Sequence, residues 1–374
     1  MGNPISKIAI KGFKSIRNQE IELQSLNILI GPNGAGKSNF IDFFRILRAI
    51  SKKEFQFFVG REGGADRVFY LGSKVTSELI GSVQTREGGM SWEFKIFPSK
   101  TNELLFFEEV VTGGAGTLHS KWARKFDHGL SESALFSKGN GERDEFIHKI
   151  REVIQPIMES WIVYHFHDTG DFAAVKRPCT TRDYEYLRPD ASNLAAFLLF
   201  LKKKHEKEYQ KIRETIQLVA PFFDDFRLIG EEIENDTQVV LGWQQKGSDY
   251  PFHPSQMSDG TLRFICLVTA LLQPEPPSTI LLDEPELGLH PHALALLAGL
   301  IRKASKRTQV IVSTQSAGLI SHFDPQDIIV AERKNEESIF NRLPLDKLQK
   351  WLDDYSLGEL WEMNLLEEGG PGNE

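Results

Sequence analysis

The chain has 374 residues, 40% hydrophobic and 26% charged, with a formal net charge of −8. It can bury one large core or two smaller ones, and because it holds no run of about 18 apolar residues, no membrane span is expected. Residues 1–13 are too polar for a secretory signal, and two cysteines, Cys179 and Cys266, make no disulfide framework, so a cytoplasmic protein is expected.

Residues 8–16, 20–23, 79–83 and 92–97 alternate polar and apolar side chains, the pattern of strands with one buried face. Within this zone, Asn27, Ile28, Leu29 and Ile30 form a short apolar run of the buried-strand type. Residues 39–50 then place Phe40, Phe43, Phe44, Leu47 and Ile50 at helical spacing. Between strand and helix stands GPNGAGKS: Gly31, Pro32, Asn33, Gly34, Ala35, Gly36, Lys37 and Ser38. This octet fits G-x-x-x-x-G-K-[ST] in the strand–turn–helix context that a phosphate-binding loop requires. Its glycines let backbone N–H groups converge on phosphate oxygens at a helix N-terminus. Lys37 would reach the β- and γ-phosphates, and the Ser38 hydroxyl would complete the shell of Mg²⁺. The chain is therefore expected to bind ATP with Mg²⁺, with Asn39 adjoining the loop.

Residues 101–250 read as a mostly helical insertion, with helices at 142–159 and 193–219 and a glycine-rich loop at 113–116. His165 and His167 would share one face of any strand. No second His or Cys group stands near them, so a structural hydrogen-bonding role is expected over a lateral nucleotide or partner contact, and either over a metal site. Ser192 or Asp190 is the expected N-cap of the second helix. Lys202, Lys203 and Lys204 read as a solvated face, and Phe222, Phe223 and Phe226 as core. Further on, Ser258-Asp259-Gly260-Thr261 precedes an apolar helix at 262–272. A buried run at 279–282 then ends in Asp283 and Glu284. Asp283 at a strand end can hold Mg²⁺, and Glu284 can accept a proton from an attacking water. A third buried strand, 309–313, leads to Thr314, Gln315 and Ser316, and an amphipathic stretch at 351–363 precedes an acidic, Gly-rich end. Alternating strands and helices imply a parallel sheet.

In this order the motifs resemble the ABC-type ATPase heads of the RecF/SMC/OLD branch, and within it a compact stand-alone prokaryotic family. The opening residues 7–16, the phosphate loop, Met257-Ser258-Asp259-Gly260-Thr261-Leu262-Arg263, the run DEPELGLHP from Asp283 to Pro291, and Ser313-Thr314-Gln315-Ser316 carry the resemblance. It implies an α/β P-loop NTPase with a mixed, largely parallel sheet, an antiparallel N-terminal β lobe and a helical insertion. The expected divisions are a lobe at 1–100, the insertion at 101–250, a second lobe at 251–345 and a tail at 346–374. The insertion is too short for a long coiled coil, and no room follows Ser316 for a TOPRIM domain.

The resemblance further implies a composite ATPase site in a homodimer, in which Ser258 and Gly260 of one subunit cap the γ-phosphate held by the other. Gln315 stands where many relatives place a switch histidine. Glutamine cannot carry charge, so slow hydrolysis, or hydrolysis that depends on a partner, is expected. Phe13, in the turn that passes the nucleotide in related heads, is either a neighbour of the base or core. The expected output is control of a separate effector protein, such as a nuclease, in DNA maintenance or phage defence. RecF-like DNA binding, or a nucleotide-sensing scaffold with little turnover, are the alternatives. The 351–363 stretch, with Trp351, Leu352, Tyr355, Leu360 and Trp361, either docks that effector or packs on its own core.

Overall fold

A computed structural model describes residues 5–86, 89–113, 122–137, 145–233, 236–343 and 345–366. Two six-stranded sheets organise it. The first is antiparallel and takes, in spatial order, Ile16–Glu22, Ile5–Phe13, Leu79–Thr85, Ser91–Pro98, Leu104–Gly113 and Trp122–Leu130. The second runs Glu337–Arg342, Ile328–Lys334, Leu26–Ile30, Gln309–Thr314, Thr279–Asp283 and Ile162–Tyr164. Only its Glu337–Arg342 strand pairs antiparallel; the rest are parallel.

Period-two geometry makes this second sheet the wall between two cores. Ile28, Ile30, Ile280, Leu282, Val310 and Val312 face one core, while Leu29, Leu281 and Ile311 face the other. On the latter side the helix Lys37–Lys52 buries Phe40, Phe43, Phe44 and Leu47 between the two sheets. Phe13 packs edge-to-face on Phe43 at 5.5 Å and is fully buried, so it is core and not a neighbour of the base. On the other side lie the helices Asp259–Leu272, Pro291–Ser305 and Leu194–Lys204.

Several expectations need correction. The first sheet continues past residue 100, because Leu104, Phe106 and Val111 prolong the inward alternation of Phe94 and Ile96. The stretch 101–250 is thus not a mostly helical insertion: it gives strands to both large sheets and to two small ones, Phe223–Arg227 with Gly242–Gln245, and Gly230–Ile233 with Asp236–Val239 and Cys179–Thr180. The expected helix at 193–219 is two helices, Leu194–Lys204 and Glu206–Val219, broken at His205. Its N-cap is Asn193, whose side chain makes no capping bond; it accepts from the Arg188 N–H and donates to the carbonyls of Asp183 and Tyr186. Asp190 instead accepts from the Ser192 N–H. Lys202 pairs with Asp225 at 2.8 Å. Phe223 and Phe226 are core, whereas Phe222 is half exposed. The tail forms Leu345–Leu352 and Leu357–Glu362, and Leu348, Leu357 and Leu360 are buried in the main core, so it packs back on its own chain. Most of the glycine-rich loop at 113–116, the start of the helix expected from 142, and the acidic end from 367 lie outside the described residues.

Candidate functional site

Parallel pairing in register brings the candidate residues to one edge. Ile30 sits beside Thr314, Ser313 beside Asp283, and Leu282 beside Tyr164. The phosphate loop, the switch, the adjacent acids and the His165–His167 segment therefore all leave the sheet at the carboxyl ends of neighbouring strands, where open α/β sheets bind ligands.

Two of the loop's glycines are there for space. A Cβ on Gly31 would sit 2.4 Å from the Ala331 carbonyl oxygen, and Gly36, at φ 103°, is pressed against Ser338. Pro32, Asn33, Gly34 and Ser38 are exposed, while Ala35 is buried and donates its N–H to the Pro32 carbonyl. Lys37, 5% exposed, donates its Nζ to the carbonyls of Gly31 (2.7 Å) and Pro32 (3.1 Å). Burial pushes its pKa down, and the carboxylates of Glu284, Asp283 and Glu286 oppose that shift. Loop cation and acidic strand end thus interact electrostatically, although Lys37 and Asp283 lie far apart in sequence. Asn39 donates to the Ser15 hydroxyl at 2.7 Å, which fixes the loop's far side to the first hairpin.

Glu284 takes a left-handed conformation, φ 44°, with its N–H bonded to the Ser313 carbonyl at 2.8 Å. A non-glycine residue held there is strained, and such strain gathers at functional positions. Two residues on, Glu286 had escaped notice in the sequence. Its Oε1 accepts from the Thr314 hydroxyl and the Gln315 N–H, while its Oε2 is buried and has no hydrogen-bond partner among the described residues. Burial raises its pKa. Glu286 therefore ties the acidic loop to the switch. Its only sequence signal was its place as the second acid of D-E-P-E. The Gln315 carbonyl also accepts from the Trp361 indole N–H at 3.3 Å, so the tail braces the switch.

Ser258 is the exposed N-cap of Asp259–Leu272 and accepts from the Thr261 N–H. Among the described residues no hydrogen bond or ion pair joins this turn to the phosphate loop. It packs instead on the loop after the acids: a Cβ on Gly260 would lie 2.4 Å from the Gly288 carbonyl oxygen. Arg263 adds three bonds, to the carbonyls of Leu287, Phe166 and His167. His167 Nε2 lies 2.9 Å from the Asp283 carbonyl oxygen and its ring is 4.0 Å from that of His165. Desolvation and then His167 push the His165 pKa down, and Asp283 opposes. Arg263 closes the signature run in the sequence, and the structure adds that it ties this turn to the histidine segment and to the loop after the acids.

Among the described residues no group of three or more His, Cys, Asp or Glu is arranged to hold a metal alone. Mg²⁺ binds through one or two protein oxygens and the substrate's phosphates; the residues expected to hold it are Ser38, which is exposed, and Asp283, at the end of the strand Thr279–Asp283. An open cleft of about 610 Å³ lies beside Asn39, with Lys14, Arg67 and Arg333 and the acids Glu62, Asp66 and Glu336 in its lining. A larger one, about 880 Å³, lies at the opposite sheet edge by Ser25, Leu26 and Arg302, away from the phosphate loop.

The fold is that of an α/β P-loop NTPase, and it is similar to the heads of SMC proteins. The chain belongs to the family described as "AAA domain, putative AbiEii toxin, Type IV TA system", which matches residues 26–321. It is a nucleotide-binding ATPase by family. Among solved structures it is similar to an SMC head bound to the C-winged helix domain of ScpA (TM-score 0.61, 18% identity, 93% of this chain and 99% of that one). It is also similar to an SMC head with an extended coiled coil bound to the C-terminal domain of ScpA from Pyrococcus furiosus (0.55, 16%, 94% and 99%). A third is an SMC head with a coiled coil and joint from Pyrococcus yayanosii (0.52, 14%, 94% and 99%). At these identities the likeness is one of fold. No curated protein matches the chain.

Proposed function

We propose that this chain is an ATP-dependent dimeric switch that controls a separate effector. One observation carries the reading. The phosphate loop and the acids leave the sheet at neighbouring strand ends, while Ser258 of the signature turn is exposed and, among the described residues, no hydrogen bond or ion pair joins that turn to the loop. A second copy would complete the site with Ser258 and the Gly260 N–H.

In the cycle, backbone N–H groups of residues 33–38 hold the phosphates, and Lys37 turns from the Gly31 and Pro32 carbonyls to the β- and γ-phosphates. Ser38 and Asp283 would hold Mg²⁺, which would supply charge neutralisation at the phosphates. Glu284 orients the attacking water and accepts its proton. Gln315 donates a neutral hydrogen bond to the γ-phosphate, which supports slow turnover.

Two of the similar SMC heads are bound to domains of ScpA, which supports a protein partner here. The family's description as an AbiEii toxin supports a place in phage defence. Among the described residues no helix is long and apolar enough to cross a membrane, and we place the protein in the cytoplasm. Every residue assigned serves ATP, so the purified chain is expected neither to cleave nucleic acid nor to modify protein. Nuclease activity lost on mutating His165, His167 or Asp168 would overturn that.

Glu284→Gln keeps size and hydrogen bonding but cannot take a proton. Hydrolysis should fall by roughly 10²–10⁴ while ATP still binds, and the variant should accumulate as an ATP-dependent dimer. Ser258→Arg should abolish that dimer and leave ATP binding by the monomer intact. Light scattering that gives one mass with and without ATP at every concentration would refute the switch. ATP binding with negligible turnover in the parent chain would favour the scaffold alternative, and salt-dependent DNA binding that requires ATP the RecF-like one.

A further inference from the structure

The signature turn carries a charge that sequence alone leaves unexplained. Asp259 stands between Ser258 and Gly260, where a carboxylate would repel the γ-phosphate that those two residues are proposed to cap. The structure places a compensating cation there. Lys176 ends a short helical turn, Ala174–Lys176, and its side chain is 5% exposed. Its neighbours Ala173 and Val175 belong to the main core. Burying an ammonium is costly unless it is paired. Among the described residues its one ion pair is with Asp259, at 3.7 Å, and Asp259 is itself 65% exposed.

A buried lysine held on a loose, exposed partner is poorly explained as a stabilising pair, because such an ion pair contributes little. It is well explained as a charge kept in readiness for a stronger anion. The site is the first turn of a 14-residue helix, whose free N–H groups and dipole also favour an anion. Arg263, on the next turn, spends its donors on the carbonyls of Phe166, His167 and Leu287, so it is not available for that task.

We propose that Lys176 is a substrate-binding residue acting across the dimer: its ammonium leaves Asp259 to contact the γ-phosphate of the ATP held by the facing subunit. Asp259 then acts as a placeholder that keeps the ammonium at the surface end of its buried stem until the second subunit arrives. This rests on the sandwich reading above and names a further cation of that same site. No bond is made or broken by Lys176; its contribution is the charge it brings to the phosphate.

The test uses the full chain with Glu284→Gln, Mg²⁺ and ATP, with dimer mass followed by analytical ultracentrifugation. Lys176→Met should weaken the ATP-dependent dimer about 10²- to 10⁴-fold, because the homodimer loses one charge-assisted contact at each of its two sites. Fluorescent-nucleotide affinity of the monomer should not change. Lys176→Arg should keep most of the dimer. Asp259→Asn, at an exposed position that should not disturb folding, should tighten it by releasing the ammonium. A dimer that is equally strong with Lys176→Met, or with Asp259→Asn if the methionine variant does not fold, overturns the proposal and leaves the sandwich standing. A Glu284→Gln parent that stays monomeric with ATP overturns the sandwich itself, and the role of Lys176 with it.

Discussion

Lys37→Met puts the phosphate loop to the most direct test. The substitution keeps a stem of similar length and removes the ammonium that donates to Gly31 and Pro32 and sits among Glu284, Asp283 and Glu286. Two effects oppose each other in the unliganded fold: a buried charge no longer has to be desolvated, and three acids lose a nearby cation. The fold should therefore survive, which circular-dichroism melting checks. With ATP present the effects act together. A hydrogen bond to a charged group is worth about 1.5–3 kcal/mol, so its loss lowers affinity about ten- to hundredfold. The acids, now without Lys37, repel the triphosphate and push the loss towards the upper end. Titration of a fluorescent ATP analogue, with and without Mg²⁺, reads the change. A folded Lys37→Met protein with unchanged affinity would show that the octet is not the site.

Gly260→Ala should cost about 1–3 kcal/mol in denaturant unfolding, because the new methyl meets the Gly288 carbonyl oxygen, and it should loosen the ATP-dependent dimer by displacing the signature turn; unchanged stability and assembly would contradict the close packing. Glu109 is buried with Trp92, Ser133 and Ala134 donating to it, and burial raises its pKa above the ordinary 4.5 even though those bonds oppose the shift. A raised carboxyl pKa means the folded lobe holds its proton more tightly than the unfolded chain. Its contribution is thus full below the ordinary glutamate range and is lost as pH rises through the folded value. Urea midpoints from about pH 4 to about pH 8 should fall less in Glu109→Gln than in the parent.

The parts legible in sequence are those whose chemistry is local. The Gly31 to Ser38 octet, the apolar run ending in Asp283 and Glu284, and the Ser258 turn each carry their geometry in adjacent residues, since a tight turn, a strand end or an N-cap needs only a few neighbours. Strand and helix periodicity likewise showed which faces would be buried, as Phe40, Phe43 and Phe44 confirm. Less legible were elements whose identity depends on what lies beside them. The three-residue strand Ile162–Tyr164 has too few residues for a period, and exists because Ile280, Leu281 and Leu282 offer it a parallel edge. The strands Leu104–Gly113 and Trp122–Leu130 fall in a stretch where the sequence reading placed no strand, ahead of the first helix expected there.

Sequence by itself determined the class of chemistry: a phosphate loop, two adjacent acids and a signature turn in an order that few folds share. Tertiary structure decided which of these act on one another. It set Lys37 against acids far along the chain, gave Glu286 to Thr314 and Gln315, and joined Arg263 to the carbonyls beside the acids. It also set a buried lysine against Asp259. None of these pairs is close in sequence, and neither propensity nor spacing encodes them. They arise because parallel strands must be joined by crossovers, so neighbours in the sheet come from distant parts of the chain and meet only at the strands' carboxyl ends.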